Sequence, residues 1–358
     1  MKITVNTEQF KDMVSKAVKG AGNDKLMPIT QFMGIRKFDA NLILTTTDAT
    51  NYLYVCGEAP EKKSQLFVTV FVDQFSKLIS KMTSENITLE VIDKVLTVSG
   101  NGTYSIELPL DEEGALIQYP DPAVELADIK PSGTLKLADV HTVLDVCRPS
   151  LATDTANNPE LINYFVGDSV IATDQYKIAS FNTKLLDDER LISPELMNLL
   201  DIVSKDTIDY KISGDSILFV SEDIQIYGKL MSEEYPVDVL EKLLNEKFPS
   251  VCKINKQDFL NLLDRMSLFV SKYDDKAIKM SFTKEAITVT NKAGKSSEVI
   301  EYQSVKKHKD FDCVIDIEFL TTQIKAYASD VVEMHYGKEN SIKLIDGNIT
   351  QVIALNEK

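Results

Sequence analysis

Apolar positions along the chain follow two periods, and the two alternate in blocks. Six stretches repeat every three or four residues, the spacing of a helix with one buried face. Residues 7–19 bring Phe10, Met13, Val14, Ala17 and Val18 to one side, and 73–84 do the same with Phe75, Leu78, Ile79 and Met82. Residues 136–148 offer Val140, Val143, Leu144 and Cys147. Residues 193–206 open on Ser193 and Pro194, a cap and a first-turn proline, before Leu196, Leu199, Leu200 and Val203. Residues 255–266 supply Phe259, Leu262, Leu263 and Met266; the weakest stretch, 316–329, has Leu320, Ile324 and Tyr327. The six starts are separated by 66, 63, 57, 62 and 61 residues, which predicts a repeated unit.

Strand patterns fill the gaps. Asn41–Thr47 and residues 87–98, 169–172, 207–221, 278–290 and 331–345 are rich in β-branched and aromatic side chains. Gly100-Asn101-Gly102, Gly214-Asp215 and Asp346-Gly347 mark turns among them. One helix with a short meander cannot bury both of its faces, so two such units should pair into a domain of about 120 residues. A second marker carries that longer period. Leu44-Thr45-Thr46-Thr47-Asp48, Val170-Ile171-Ala172-Thr173-Asp174 and Ile287-Thr288-Val289-Thr290-Asn291 end three strands alike, with Thr residues 126 and 117 apart. A single Thr-Asp is an ordinary strand end, but three in step with the helices argue for repetition. Proline-rich links at 119–133 and 235–250 separate the copies. The expected architecture is α+β: three tandem similar domains near 1–125, 130–245 and 250–358, each of two helix-plus-antiparallel-strand units.

Composition narrows the function. The chain has 358 residues, 44% hydrophobic and 26% charged, with a net charge of −16. That suits a folded chain and argues against a surface coated in basic residues, though not against DNA contact confined to one inner face. No apolar run is long enough to span a membrane, and the first residues, Met1-Lys2-Ile3-Thr4-Val5-Asn6, lack the apolar core of a leader. Cys56, Cys147, Cys252 and Cys313 stand far apart, as free thiols in a reducing cytoplasm would. Three histidines (141, 308 and 335) and no paired cysteines give no expectation of a metal or cofactor. Gly294-Lys295-Ser296 imitates the end of a phosphate loop, but Val289 stands where its first glycine belongs and no helix follows. Acidic clusters such as Asp187-Asp188-Glu189 read as solvated loops, so no active site is expected.

Three domains pairing their helices on one face supply six helices, and a homodimer closing head to tail supplies twelve. At about 10 Å between axes these span a circumference of roughly 120 Å and leave an opening of about 28 Å, room for a hydrated duplex. Helices that cross phosphates without entering a groove bind regardless of sequence. Over the whole chain, the Met1-Lys2-Ile3-Thr4-Val5 start, Met27-Pro28-Ile29, the Thr-Asp strand ends, Tyr235-Pro236 and the Val352-Ile353-Ala354-Leu355 end resemble the bacterial DNA polymerase III β subunit, the β sliding clamp. The resemblance implies a homodimeric six-domain ring around double-stranded DNA. It implies a non-enzymatic processivity factor that tethers the replicative polymerase and clamp loader through a short apolar peptide motif.

Residue by residue, the resemblance implies a peptide groove built from Ile162, Thr173, Gln175, Tyr176, Lys177 and Ile178, with Pro236, Leu240, Val352, Ala354 and Leu355. Ile162, Ile178 and Val352 read on their own as core. Where the family usually has Thr-Asp-Gly-His-Arg this chain has Thr173-Asp174-Gln175-Tyr176-Lys177, and its tail is Ala354-Leu355-Asn356-Glu357-Lys358. Both departures alter the groove wall. The ring contact is expected to set Tyr104 and Ile106, on an edge strand, against Leu268 and Phe269 of the other copy; Leu268-Phe269-Val270 reads equally as a buried helix end. Candidate DNA-facing cations are Lys11, Lys16, Lys19, Lys25, Lys77, Lys81, Arg148, Lys205, Arg265 and Lys325. The six helical stretches sum to −1 over 78 residues against −15 over the other 280, and helix-dipole complementation accounts for part of that contrast. The alternatives are a protein-binding scaffold that never encircles DNA and an enzyme whose site leaves no motif.

Overall fold

Residues 2–58, 65–153, 158–271, 276–305 and 308–356 are described in a computed structural model of the chain. Elements run β1 (Lys2–Asn6), α1 (Thr7–Ala17), β2 (Phe32–Phe38), β3 (Asn41–Thr47), β4 (Tyr52–Glu58), β5 (Leu66–Phe71), α2 (Val72–Ser80), β6 (Asn86–Ile92), β7 (Val95–Ser99) and β8 (Thr103–Glu107). Next come β9 (Gly133–Lys136), α3 (Leu137–Val146), β10 (Tyr164–Val166), β11 (Val170–Thr173), β12 (Lys177–Phe181), β13 (Arg190–Ile192), α4 (Pro194–Leu200), β14 (Thr207–Ser213), β15 (Ser216–Val220) and β16 (Ile224–Lys229). The last third is α5 (Val237–Leu244), β17 (Ser250–Asn255), α6 (Lys256–Ser267), β18 (Ala277–Phe282), β19 (Ala286–Asn291), β20 (Ser297–Glu301), β21 (Gln303–Ser304), β22 (Phe311–Asp316), α7 (Ile317–Lys325), β23 (Val331–Tyr336), β24 (Ser341–Asp346) and β25 (Ile349–Ala354).

All six expected helices form, several of them a turn shorter than the apolar period suggests. One helix was hidden: α5 lies inside the stretch read as a proline-rich link. It follows Tyr235-Pro236 and is only eight residues long, so its period (Val237, Leu240, Leu243, Leu244) is too brief to stand out. Several expected strands are hairpins; 87–98, for instance, is β6 and β7 turning at Asp93, whose φ of 53° is left-handed.

Contacts gather the chain into two compact units, Met1–Leu137 with Glu195–Met231 and Ala138–Pro194 with Ser232–Lys358. In unit 1 a four-stranded sheet runs β1-β6-β7-β8 and an eight-stranded one runs β5-β2-β3-β4-β16-β15-β14-β9. In unit 2 a four-stranded sheet runs β20-β19-β18-β22 and a nine-stranded one runs β13-β10-β11-β12-β25-β24-β23-β17-β21. Helices cover the sheets through the faces that their periods predict. Phe10 of α1 meets Phe75 of α2 edge to face at 6.1 Å, and both are buried. In unit 2, Phe259, Leu262, Leu263 and Met266 of α6 join Leu320 and Ile324 of α7 over Val289, Met334, Leu344 and Ile353. Each such buried side chain contributes about 1.5–3 kcal/mol of transfer free energy.

Repetition is visible bond by bond. The first backbone N–H of α1, α3 and α6 (Thr7, Leu137, Lys256) donates to the carbonyl just before β6, β14 and β23 (Glu85, Asp206, Asp330), at 3.1, 2.9 and 2.8 Å. Asn6 and Asn255 cap α1 and α6 with side-chain oxygens, filling donors that a helix start leaves open.

The wide sheets are joined by one rule. β4 pairs antiparallel with β16, with Tyr52 opposite Tyr227, and β12 pairs antiparallel with β25, with Ile178 opposite Val352. Tyr52 and Ile178 hold the same place, since they sit opposite Thr47 and Thr173 across their hairpins. Two strands in those positions, β20 and β8, have no such partner among the described residues and end their four-stranded sheets.

Candidate functional site

The first site starts from the strand end at Thr173. Its hydroxyl donates to the Lys177 carbonyl (2.7 Å) and accepts from the Gln175 N–H (3.1 Å). Asp174 Oδ1 accepts from the N–H groups of Tyr176 (3.0 Å) and Lys177 (2.7 Å). These bonds hold Gln175 at a φ of 78°, where the family pattern has glycine. Unit 1 repeats the turn: Thr47 donates to the Asn51 carbonyl (2.6 Å), Asp48 caps Thr50 and Asn51, and Ala49 takes a φ of 88°. The third marker, Asn291, instead caps a longer turn through the N–H groups of Lys295 and Ser296, in the β19–β20 hairpin. The phosphate-loop imitation therefore lies in a hairpin.

Around the Thr173 turn, unit 2 brings most of the expected groove residues together. Ile178 and Val352 are buried and directly opposed, and the Ala354 N–H donates to the Tyr176 carbonyl at 2.8 Å. Pro236, exposed, starts α5, its carbonyl accepting from the N–H groups of Val239 and Leu240 at 3.2 Å. α5 lies against β12 and β25 and buries Leu240. Tyr176 is left 64% exposed on the rim. Two residues fit less well. Leu355 turns onto the unit's hydrophobic core, and Ile162 ends a 3-10 turn leading into β10, two strands from β12.

The sequence missed what fixes this wall. Lys177 is buried; its ammonium donates to the Pro149 carbonyl (2.7 Å), pairs with Asp174 Oδ2 (2.7 Å) and lies 4.6 Å from the Phe319 ring centre. It is a strut of the wall and offers no free charge. Tyr235 stacks on Phe165 at 5.5 Å, and burial pushes its phenol above the ordinary tyrosine range. Val239 (57% exposed) and Leu243 (39%) add apolar surface on α5. Burial also holds the neighbouring Cys147 thiol up at about 12, so it stays protonated and unreactive.

The candidate cations divide into two groups. Lys11 pairs with Glu8 (3.0 Å), Lys77 with Asp73 (2.6 Å), Lys205 with Glu222 (3.2 Å), and Arg265 with Glu298. Lys16 pairs with Asp12 (2.9 Å) and Asp223 (3.4 Å), and the hydrogen bond to Asp12 chiefly raises its pKa against the opposing pull of desolvation. Lys19, Lys25, Lys81, Arg148 and Lys325 are exposed and have no carboxylate partner among the described residues. Helix periodicity does not reveal which lysines already have a partner.

The expected ring contact needs one correction. β8 is an edge strand and Tyr104 is 40% exposed, but Ile106 is 2% exposed, opposite Leu96 in its own core. Isoleucine on the covered face of a strand fills that core, so Ile106 offers only backbone at the edge. Leu268 and Phe269 are 79% and 58% exposed, whereas Val270 packs on the core. The buried-helix-end reading thus holds for the third residue and fails for the first two.

Among the described residues no cluster of His, Cys, Asp and Glu is arranged to hold a metal ion, and no helix is long and apolar enough to cross a membrane. No protein-family model matches the chain, and no curated protein matches its sequence. Solved structures do match. The β subunit of DNA polymerase from Streptococcus pyogenes superposes with a TM-score of 0.87 at 17% identity, covering 100% of both chains. The sliding clamp of Bacillus subtilis gives 0.86 at 17%, over 100% of this chain and 99% of that one. The sliding clamp of Pseudomonas aeruginosa gives 0.86 at 12%, over 100% of both. From end to end, the chain has the fold of the bacterial DNA polymerase sliding clamps.

Proposed function

We propose that two copies of this chain, each of three clamp domains, close head to tail into a ring. The ring encircles duplex DNA in the cytoplasm and tethers a replicative polymerase and its clamp loader through short peptides in the unit 2 groove. The chain performs no chemistry of its own. Solved proteins of this fold are named sliding clamp and DNA polymerase III β subunit, which supports the role.

The observation that carries the reading is the strand rule. Twice within the chain a strand like β20 meets a strand like β8, in one register: Tyr52 with Tyr227, and Ile178 with Val352. Ser297 holds the place of Tyr52 and Ile178, being opposite Thr290. Tyr227 and Val352 are each third past the residue that closes their hairpin, Ile224 and Ile349; past Gly102, which closes β7–β8, the third is Ser105. The third junction is therefore between chains, with Ser297 of one opposite Ser105 of the other. Unpaired edges of this kind invite a partner strand, and two such junctions close a ring rather than extend a fibre.

Affinity for DNA is low in this scheme, because only about half of the candidate cations are unpaired and the chain carries −16. Persistence comes from topology. Protein loaded on closed circular DNA is expected to stay bound in high salt and to leave once the circle is cut. Equal retention on circular and linear DNA contradicts the proposal.

A further inference from the structure

α5 and the segment leading into it are acidic. Glu233 and Glu234 lead into α5, and Asp238 and Glu241 lie on it, all four exposed. Glu339 is exposed beside Asn340, whose carbonyl accepts from the Leu355 N–H at 2.9 Å. None of these five carboxylates is in an ion pair among the described residues. Lysines in the same region are already engaged. Lys177 is sequestered as described, Lys343 donates to the carbonyls of Leu244 (3.1 Å) and Glu246 (2.6 Å), and Lys338 pairs with Glu246. Lys242 and Lys247 remain exposed, at and beyond the last turn of α5. Residues 232–247 hold five acids and two lysines, far denser in negative charge than the chain average of −16 over 358. Val239 and Leu243, on α5 with these acids, and Tyr176, on the Thr173 turn, expose apolar surface.

We propose that the segment taken by this groove is a short peptide whose apolar anchors are flanked by lysine or arginine. This rests on the groove being the partner site. Apolar anchors cover Val239, Leu243 and the Tyr176 ring, while flanking cations meet the carboxylates on and around α5. A neutral flank gains nothing from these carboxylates, and an acidic one is repelled by them. Such complementarity selects among partners and speeds encounter, and salt screens it.

The test uses the full chain and two fluorescent probe peptides, each with the same Leu-Phe anchor, flanked by lysines in one and by glutamates in the other. Anisotropy at low salt should show the lysine peptide bound about tenfold more tightly, with the gap closing at high salt. The double change Glu233→Lys and Glu234→Lys, at exposed positions that the fold does not use, should abolish or reverse the preference. Equal binding of both peptides, or tighter binding of the glutamate peptide, overturns the charge preference and leaves the groove standing. Failure of both to bind, or binding that Val239→Ser and Leu240→Asp leave untouched, overturns the groove reading and this inference with it.

Discussion

Changing Leu268 and Phe269 together to glutamate is expected to turn the proposed dimer into a monomer at micromolar concentration, as read by sedimentation velocity. Both side chains are mostly exposed within one chain, so the change removes nothing from its core. The segment stays anchored by backbone: Leu268 and Phe269 donate to the carbonyls of Arg265 (3.3 Å) and Met266 (3.0 Å), and Asn291 Nδ2 donates to the Phe269 carbonyl (3.2 Å). In the proposed ring each junction then loses two apolar anchors and gains two buried charges. At about 2 kcal/mol or more per anchor, the dissociation constant rises by at least about a thousandfold. Retention on circular DNA disappears with it. Ile106→Asp is a poor substitute, because it places a charge in a domain core and unfolds it. A double variant that still sediments as a dimer dismisses this surface as the contact.

Leu240→Asp is expected to separate the two activities. Leu240 is 6% exposed, where α5 meets β12 and β25, so the carboxylate disturbs the wall of the proposed groove and touches neither β8 nor β20. Binding of partner peptide and stimulation of the polymerase should fall by about thirtyfold or more, the scale of a lost central anchor. Retention on circular DNA should be unchanged. Because a buried carboxylate also loosens α5 itself, Val239→Ser, at a 57% exposed position, provides a second arm with a smaller loss in the same direction. Full polymerase stimulation by both variants excludes this groove.

Much of the fold could be read from local order. β3 spans Asn41–Thr47 as its pattern predicts, and the helices bury the face that their periods assign. The Thr-Asp strand ends stand out because one hydroxyl and one carboxylate organise a whole turn, at Thr47 and again at Thr173. The third copy drifts because asparagine caps a longer loop. What local order cannot convey is pairing over distance. Tyr52 meets Tyr227 and Ile178 meets Val352 across nearly equal spans of chain, and no motif at either end announces it. For the same reason Lys177 reads as a polar wall residue, whereas Pro149 and Phe319, distant in sequence, engage it together with Asp174 of its own turn. The anchoring helix α5 was missed because eight residues between prolines and acids hold scarcely two periods of a helix.

A cysteine pair tests the central claim most directly. Ser105 and Ser297 are both exposed, and the strand rule sets them opposite each other across the junction between chains. Opposed residues in an antiparallel pair lie about 4.5–5.5 Å apart at Cα, within reach of a disulfide. The variant Ser105→Cys with Ser297→Cys, mildly oxidised, should run as a covalent dimer closed at both junctions and stay on circular DNA through denaturing wash. Failure to cross-link, or cross-linking into open ladders of chains, contradicts a two-chain ring.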